Sequence, residues 1–417
     1  MTADPSGESP LRRHADFLRL WAAQTVSDCG ARITREGLPM MAVLGLAATP
    51  AQLGVLSALS SGPALLVGLA AGDFVDHAPR RPILIASDVA RALVLITLPL
   101  AAWLGLLSML QVYAAAALVG GASVLFDIAD HAYLPGLVGK GLVTEANAKF
   151  SLTESVAEMG GPALAGMLFQ WLTAPVAVAV NAATYLMSAL LIGRIRTAEP
   201  ALNAGGRRRG WVDGVATGAR MAWREVHVRI LLAMTGIGGL FGGFFGALYI
   251  AFVLRGLGLT PALLGLGIAT GGIGALAGSL LAQPMARRFG VGPAICLSSA
   301  LSALGTMVLL LAPAGTAPAM TALVVSQFLG DAFGVVPLIL SASLRQTLLP
   351  QDLLGRVGAT FRVVGGASAL AGALAGGLLG GEIGLRQTLL IAVAGLLLGP
   401  LIGTLSPLVR VKAMPIG

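Results

Sequence analysis

Charge is scarce in this chain: 11% of its 417 residues are Asp, Glu, Lys or Arg. So little charge cannot solvate the surface of a soluble globular protein, and with 56% hydrophobic residues and a mean hydropathy of +0.86 it excludes that class. Only two cysteines are present, Cys29 and Cys296, both inside apolar stretches, which excludes a disulfide framework and gives no thiolate metal site. Histidine is also rare, at four residues, and no HExxH, no pair of in-membrane histidines and no serine nucleophile elbow occurs, so enzymatic chemistry has no motif to carry it and a metal site is left only as the lesser reading of Asp127, Asp130 and His131. No dyad alternation of short segments marks a β-barrel. Residues 1–16 lack the apolar core of a signal peptide, so the first apolar run is expected to be retained.

What is abundant is glycine, 57 residues, placed inside the apolar runs, where small residues let membrane helices approach closely. Apolar runs near 17–46, 51–76, 82–106, 110–134, 147–172, 174–194, 228–254, 262–285, 292–312, 318–343, 357–381 and 385–407 each suffice to cross a bilayer as a helix. Twelve spans are expected. They divide into an N-terminal tail (1–16), a first six-helix bundle (17–196), a basic linker (197–226) with Arg207, Arg208 and Arg209, a second bundle (227–409) and a tail (410–417). Nearly all Lys and Arg fall in alternate connections, with only Arg255 and Arg386 on the other side. That asymmetry places both tails and the linker in the cytoplasm. It also accounts for the net charge of +8 without nucleic acid as a partner.

An offset of about 211 positions brings the halves into register. Thr49-Pro50-Ala51-Gln52-Leu53-Gly54 answers Thr260-Pro261-Ala262-Leu263-Leu264-Gly265, and the run Gly161 to Gly166 is matched to Ala371 to Gly376. Both halves are therefore expected to repeat one six-helix plan.

Ionisable groups inside spans are costly and serve as functional candidates. Asp28, Arg32 and Glu36 follow at i, i+4 spacing in span 1, so one face carries an acid–base–acid ladder. The ladder reads either as a self-neutralising set or as a proton site at Asp28 and Glu36. Asp331 stands one turn from Gln327 in span 10, without a local cation, and is either a proton carrier or a hydrogen-bonded packing residue. Glu158 in span 5 is a third proton candidate, or else the partner of a base such as Arg32. Asp127, Asp130 and His131 read as a polar patch at the end of span 4. Phe241, Phe245 and Tyr249 recur at helical spacing in span 7, and with Gln24, Arg32, Asn181, Tyr185 and Gln327 are candidates for a substrate cavity; packing aromatics are the alternative.

Between spans 2 and 3 lie Gly72, Asp76, Arg80 and Arg81, followed by Asp88 and Arg91. This pattern resembles the signature loop of the major facilitator superfamily, with His77 and Pro79 departing from it. Leu134-Pro135-Gly136, Glu145-Ala146-Asn147, the helix-packing motif Gly161, Pro162 and Gly166, and Gly355-Arg356-Val357 are similar to stretches of the drug:proton antiporters that include macrolide and enterobactin exporters. The resemblance implies an all-α protein of twelve helices in two pseudo-symmetric bundles. It implies alternating access, with Asp76 and Arg356 stabilising one state of a cytoplasmic gate and the arginine pair held at anionic headgroups. The expected protein is a monomeric inner-membrane exporter of a small amphipathic drug, siderophore or metabolite, exchanging it for protons in a lipid bilayer without a cofactor. Uptake or facilitated diffusion by the same fold is the alternative.

Overall fold

The computed structural model describes residues 11–197, 199 and 211–413. The side chains of Gly72 and Asp76 lie outside the described ones, so those two assignments have no structural counterpart here. The fold is helical throughout the described residues. In order the helices are α1 (Ala15–Gly45), α2 (Pro50–His77), α3 (Arg80–Trp103), α4 (Met109–Val138), α5 (Val143–Leu172) and α6 (Ala174–Gly193). A short α7 (Trp211–Arg224) precedes α8 (Val226–Ala251), α9 (Pro261–Phe289), α10 (Val291–Leu311), α11 (Thr316–Leu348) and α12 (Gln351–Ile383). The final apolar run is broken at Leu397 into α13 (Leu385–Leu396) and α14 (Leu398–Leu405).

Local chemistry explains the boundaries. Thr49 caps α2 by accepting from the Gln52 amide at 3.3 Å while its own amide donates to Gln52 Oε1 at 2.8 Å, and Pro50 occupies the first helical position. Thr260 and Pro261 repeat the device at the start of α9. The Thr-Pro pairs that mark the sequence repeat are thus helix starts. Gly384 ends α12 at φ 89°, whereas the corresponding position after α5 is Thr173, at φ 71° and ψ 155°. That conformation strains any residue with a Cβ.

Nine helical segments among the described residues are long and apolar enough to cross a bilayer. Helices α1 and α5 are as long, at 31 and 30 residues, but both carry charge in their middle turns. The helices also outrun the apolar stretches. Helix α4 continues to Val138 and α11 to Leu348, so Asp127 and Asp130 lie well inside α4. The segment read as a linker contains α7, which presses Gly218 against α12: a Cβ there would stand 2.3 Å from the Arg356 carbonyl oxygen.

Helices α1–α6 pack chiefly on one another, as do α8–α14; α2 with α12 and α5 with α9 make the main contacts between the two sets. These crossings rest on glycine. A Cβ on Gly54 would meet the Ala373 carbonyl oxygen at 2.5 Å, and one on Gly377 the Gly54 Cα at 2.8 Å. On the other side, a Cβ on Gly265 would meet the Pro162 carbonyl oxygen at 2.2 Å, and one on Gly166 the Pro261 carbonyl oxygen at 2.3 Å. Gly54 and Gly265, Gly166 and Gly377, are each separated by the same offset of about 211 positions. This corrects the sequence match by one residue. Gly166 answers Gly377, not Gly376, because the crossing fixes the register where runs of Gly, Ala and Leu cannot.

One apolar core joins both sets at the end holding the α1–α2 and α8–α9 connections, from Met40 and Leu53 to Val253 and Leu264. At the opposite end the core divides. Leu20, Leu84 and Leu137 belong to one cluster, and Leu231, Ile295 and Leu344 to another. The sets are therefore sealed together at one end and apart at the other.

Candidate functional site

The charged middle of α1 organises the site. Arg32 pairs with Glu158 of α5, and Arg35 reaches both Glu158 Oε1, at 3.0 Å, and Glu36 Oε1, at 3.1 Å. The expected ladder within α1 is not formed. Arg32 turns away from Asp28 and Glu36 because Gly161 of α5 leaves room for its stem; a Cβ there would stand 2.6 Å from the Arg32 Cβ. Gly161 is thus a socket for a cation and more than a smooth packing face. Glu158 takes the second of its two readings, as the partner of Arg32.

Asp28 keeps no ion pair among the described residues. It lines a cavity of about 570 Å³ between α1, α3, α4 and α5, together with Gln24, Asp127, Asp130, Glu154 and Arg91. None of Asp28, Asp127, Asp130 and Glu154 forms an ion pair among the described residues. The patch assigned to the end of α4 is therefore part of the same basin as Asp28, and Asp130 is buried in it. Sequence spacing within α4 alone did not reveal this, because the basin is assembled from four helices.

The cations of the basin are committed elsewhere. Asp88 and Arg91, expected where span 3 opens, form a buried ion pair two turns inside α3. The Arg91 guanidinium stacks 4.5 Å from the Phe126 ring centroid and 4.2 Å from that of Tyr185. Tyr185 is consequently a support behind the basin and not a cavity surface. Asn181 is likewise buried, between Thr34 of α1 and Thr184, whose hydroxyl donates to its Oδ1 at 2.9 Å. Its place is in the α1–α6 interface.

In the second set, Phe241 lies against Gly395 of α13 and 5.6 Å from the Phe244 ring, so it packs and does not line the cleft. Phe245 packs partly buried beside the shared core. Tyr249 differs: its hydroxyl is buried without a hydrogen-bond partner among the described residues, within the electrostatic reach of Glu36 on α1 and Asp331 on α11. An unsatisfied buried hydroxyl costs about 1–3 kcal/mol, which a ligand group or a water arriving there would relieve. Asp331 is exposed at the α9–α11 crossing, against Gly271 and beside Gln327, and its charge interacts with Glu158 across the cleft.

Of the loop arginines, Arg81 does not extend to headgroups as expected. Arg81 donates from Nη2 to the Gly193 carbonyl at 2.6 Å and from Nε to the Ile192 carbonyl at 3.2 Å, so it closes the C-terminus of α6. The free amides of Arg80 and Arg81 at the start of α3 donate to Glu199 at 2.8 and 2.7 Å. Glu199 was not singled out from the sequence; an acid followed by proline gives no periodic signal. Arg356 is half-buried near the start of α12, under α7.

A helical fold with a cleft closed at one end and a polar basin inside is that of a membrane transporter. The chain belongs to the transmembrane secretion effector family, whose model matches residues 5–416, and is a transporter of the major facilitator type. Among curated relatives it is 27% identical over 191 residues to the uncharacterized MFS-type transporter YfiS of Bacillus subtilis (strain 168); the match covers 44% of this chain and 43% of that relative. Among solved structures, a variant of the nucleoside transporter NupG superposes with a TM-score of 0.77 at 11% identity, covering 94% of this chain and 99% of that one. A bacterial homologue of the iron transporter ferroportin, in its inward-facing state, gives 0.73 at 16% identity, covering 95% and 99%. These likenesses establish the fold.

Proposed function

We propose that this protein exports a small amphipathic compound, neutral or cationic, in exchange for protons. The observation that carries the reading is the basin around Asp28: Asp28, Asp127, Asp130 and Glu154 face one cavity without an ion pair among the described residues, while its arginines, Arg32, Arg35 and Arg91, are paired with Glu158, Glu36 and Asp88. A site with surplus negative charge in a low-dielectric setting attracts either a cationic ligand or protons, and the competition between them is coupling. Asp28 is the primary proton carrier in this reading and Asp331 the second, with Tyr249 and Gln327 offering hydrogen bonds to the ligand. Membership of a family of secretion effectors favours export over uptake.

In this reading twelve spans form two six-helix bundles in the inner membrane, with both termini cytoplasmic. The divided end then opens to the cytoplasm, and Asp76 and Arg356 meet when that end closes. The chain works as a monomer, since each set supplies its own side of the cleft.

The test is uptake of ethidium into inverted membrane vesicles energised to an acidic interior, with Asp28→Asn and Asp331→Asn variants. Accumulation abolished by a protonophore and by D28N is expected. Accumulation that survives the protonophore refutes proton coupling, and no accumulation of any amphipathic cation by a folded protein refutes the substrate class.

A further inference from the structure

The basin around Asp28 has a counterpart. A second cavity, of about 610 Å³, lies between α8, α10, α11, α12 and the broken pair α13–α14. Its lining falls at the same repeat offset as that of the first: the places of Asp28, Asp127, Asp130 and Glu154 are held by Gly239, Leu338, Ser341 and Gly365. Every acid has been removed. In the same register Leu134 becomes Arg345 and Ser151 becomes Arg362, while Ser302 stands in place of Arg91. The repeat has reversed the charge of one cavity relative to the other.

The remaining features point to a ligand. The cavity is mostly apolar in its lining and no acidic residue lines it among the described residues. Arg345 is partly tethered, its guanidinium 4.0 Å from the Phe361 ring centroid and its Nε donating to the Ser341 carbonyl at 3.3 Å. Arg362 is exposed into the cavity and forms no hydrogen bond or ion pair among the described residues. Two guanidinium groups without a carboxylate, beside a long apolar recess, are matched by one carboxylate or phosphate on an apolar chain. Arg345 lies in the last turn of α11, so the anionic end is held near the divided end of the molecule and the chain runs inward past Ser302 and Gly239.

We propose that this second cavity is a binding site for a single-chain amphiphilic anion, with Arg345 and Arg362 holding its acidic group. The assignment stands apart from the direction and coupling of transport. Binding of 11-(dansylamino)undecanoate to the purified full chain in a neutral detergent, followed by dansyl fluorescence, tests it, with the methyl ester of the probe as the uncharged control.

The carboxylate binds saturably and its ester at least tenfold more weakly, the fold-change expected for loss of a charge-assisted contact. Arg362→Gln weakens the carboxylate by a similar factor. Leu338→Asp restores an acid at the position of Asp127 on a residue 69% exposed and weakens it further, measured on protein whose folding is checked by its Tm. D28N, in the other cavity, retains full probe binding even where it abolishes transport, so the two assignments fail separately. Equal binding of ester and carboxylate, or carboxylate binding unaffected in both R362Q and L338D, overturns the proposal. Probe displacement in nanodiscs of phosphatidylglycerol but not of phosphatidylcholine supports it with a lipid headgroup as the natural anion; retention in both supports it with a free fatty carboxylate.

Discussion

Arg255 is one of the two basic residues, with Arg386, that lie in connections at the sealed end among the described residues, and the structure shows what it does there. From the turn after α8 its Nη1 donates to the Ala48 carbonyl and its Nη2 to the Val43 carbonyl, both at 2.6 Å. Val43 lies in the last turn of α1, where carbonyls have no partner within the helix and a cation meets the negative end of the helix dipole. The guanidinium thus ties the second set of helices to the end of α1. It is exposed, so each bond is screened and is assigned about 1 kcal/mol, low in the range for hydrogen bonds to charged groups, or roughly 2 kcal/mol together. Removing them shifts the ratio of sealed to parted conformations by about 30-fold. A parted state populated at about 1% then rises to about a quarter. Arg255→Ala is predicted to produce that rise, and Arg255→Lys, with one compact ammonium and no fork, a smaller one. Spin labels at Leu106→Cys and Ile383→Cys, after replacement of Cys29 and Cys296, report the separation of the two sets by pulsed electron resonance. A distance distribution in R255A indistinguishable from that of the unaltered protein, at equal thermal stability, refutes the clasp.

Three further outcomes follow from single positions. Gly265→Ala places a Cβ 2.2 Å from the Pro162 carbonyl, a backbone atom that cannot rotate away, so the α5–α9 crossing must part; a stability loss of about 1–3 kcal/mol and longer distances in the same spin-label assay are expected. Thr173→Gly relieves the strained backbone at φ 71° and is expected to stabilise the protein by about 1 kcal/mol after the greater chain entropy of glycine is deducted, read as a rise in Tm. Asp16 lies just ahead of the first apolar run. Its burial, which would raise the pKa, is outweighed by hydrogen bonds from the Thr197 hydroxyl and amide, from the Arg196 amide and from Arg19, which bring it down to about 2. Because the folded value lies below the unfolded one, this stabilisation is complete above about pH 5 and is lost as pH falls through about 4 to 2. The Tm difference between the unaltered protein and Asp16→Asn is therefore expected to be constant from pH 5 to 8 and to shrink below pH 4.

The fold was legible because its signals are local. Apolar runs of span length, Thr-Pro at helix starts and the one-sided distribution of arginine each follow from the sequence of a few neighbouring residues. The candidate site was only half legible. Asp28, Arg32, Glu158 and Asp331 stand out as charges in apolar context, but their pairing does not, because whether Arg32 turns to Asp28 or to Glu158 depends on Gly161 of another helix. Asn181 and Phe241 show the limit of periodicity. A helix face predicts which side chains point the same way, not which neighbour they meet, and both meet a packing partner. Arg91 shows the same limit: its place in the opening turns of span 3 follows from the sequence, but its ring partners Phe126 and Tyr185 belong to two other helices. Helix α7 was missed because it is too short and too charged to register as a span.

At the sealed end the shared apolar core is supplemented by a few specific contacts, and these bear on how a ligand could govern it. Two glycine crossings and the Arg255 clasp add to that core, and both crossings use backbone carbonyls against glycine Cα atoms, contacts that are lost completely once the helices separate by a small distance. Such an interface behaves as a latch with two states, not as a spring. The helices that form it are also those that carry the site. Helix α5 brings Gly166 to the crossing and Glu158 to Arg32, and α1 brings Val43 to Arg255 and Asp28 to the basin. Loading the basin changes the charge balance along α1 and α5, and neutralising Asp28 removes a repulsion toward Glu154 that unpaired carboxylates in one cavity must otherwise sustain. A ligand or proton that interacts differently with α1 and α5 in the two states therefore needs to supply only a few kcal/mol to move the latch. The distance from basin to clasp is spanned by single continuous helices, each with one internal proline on the way, Pro39 in α1 and Pro162 in α5, so no relay of side chains is required to connect them.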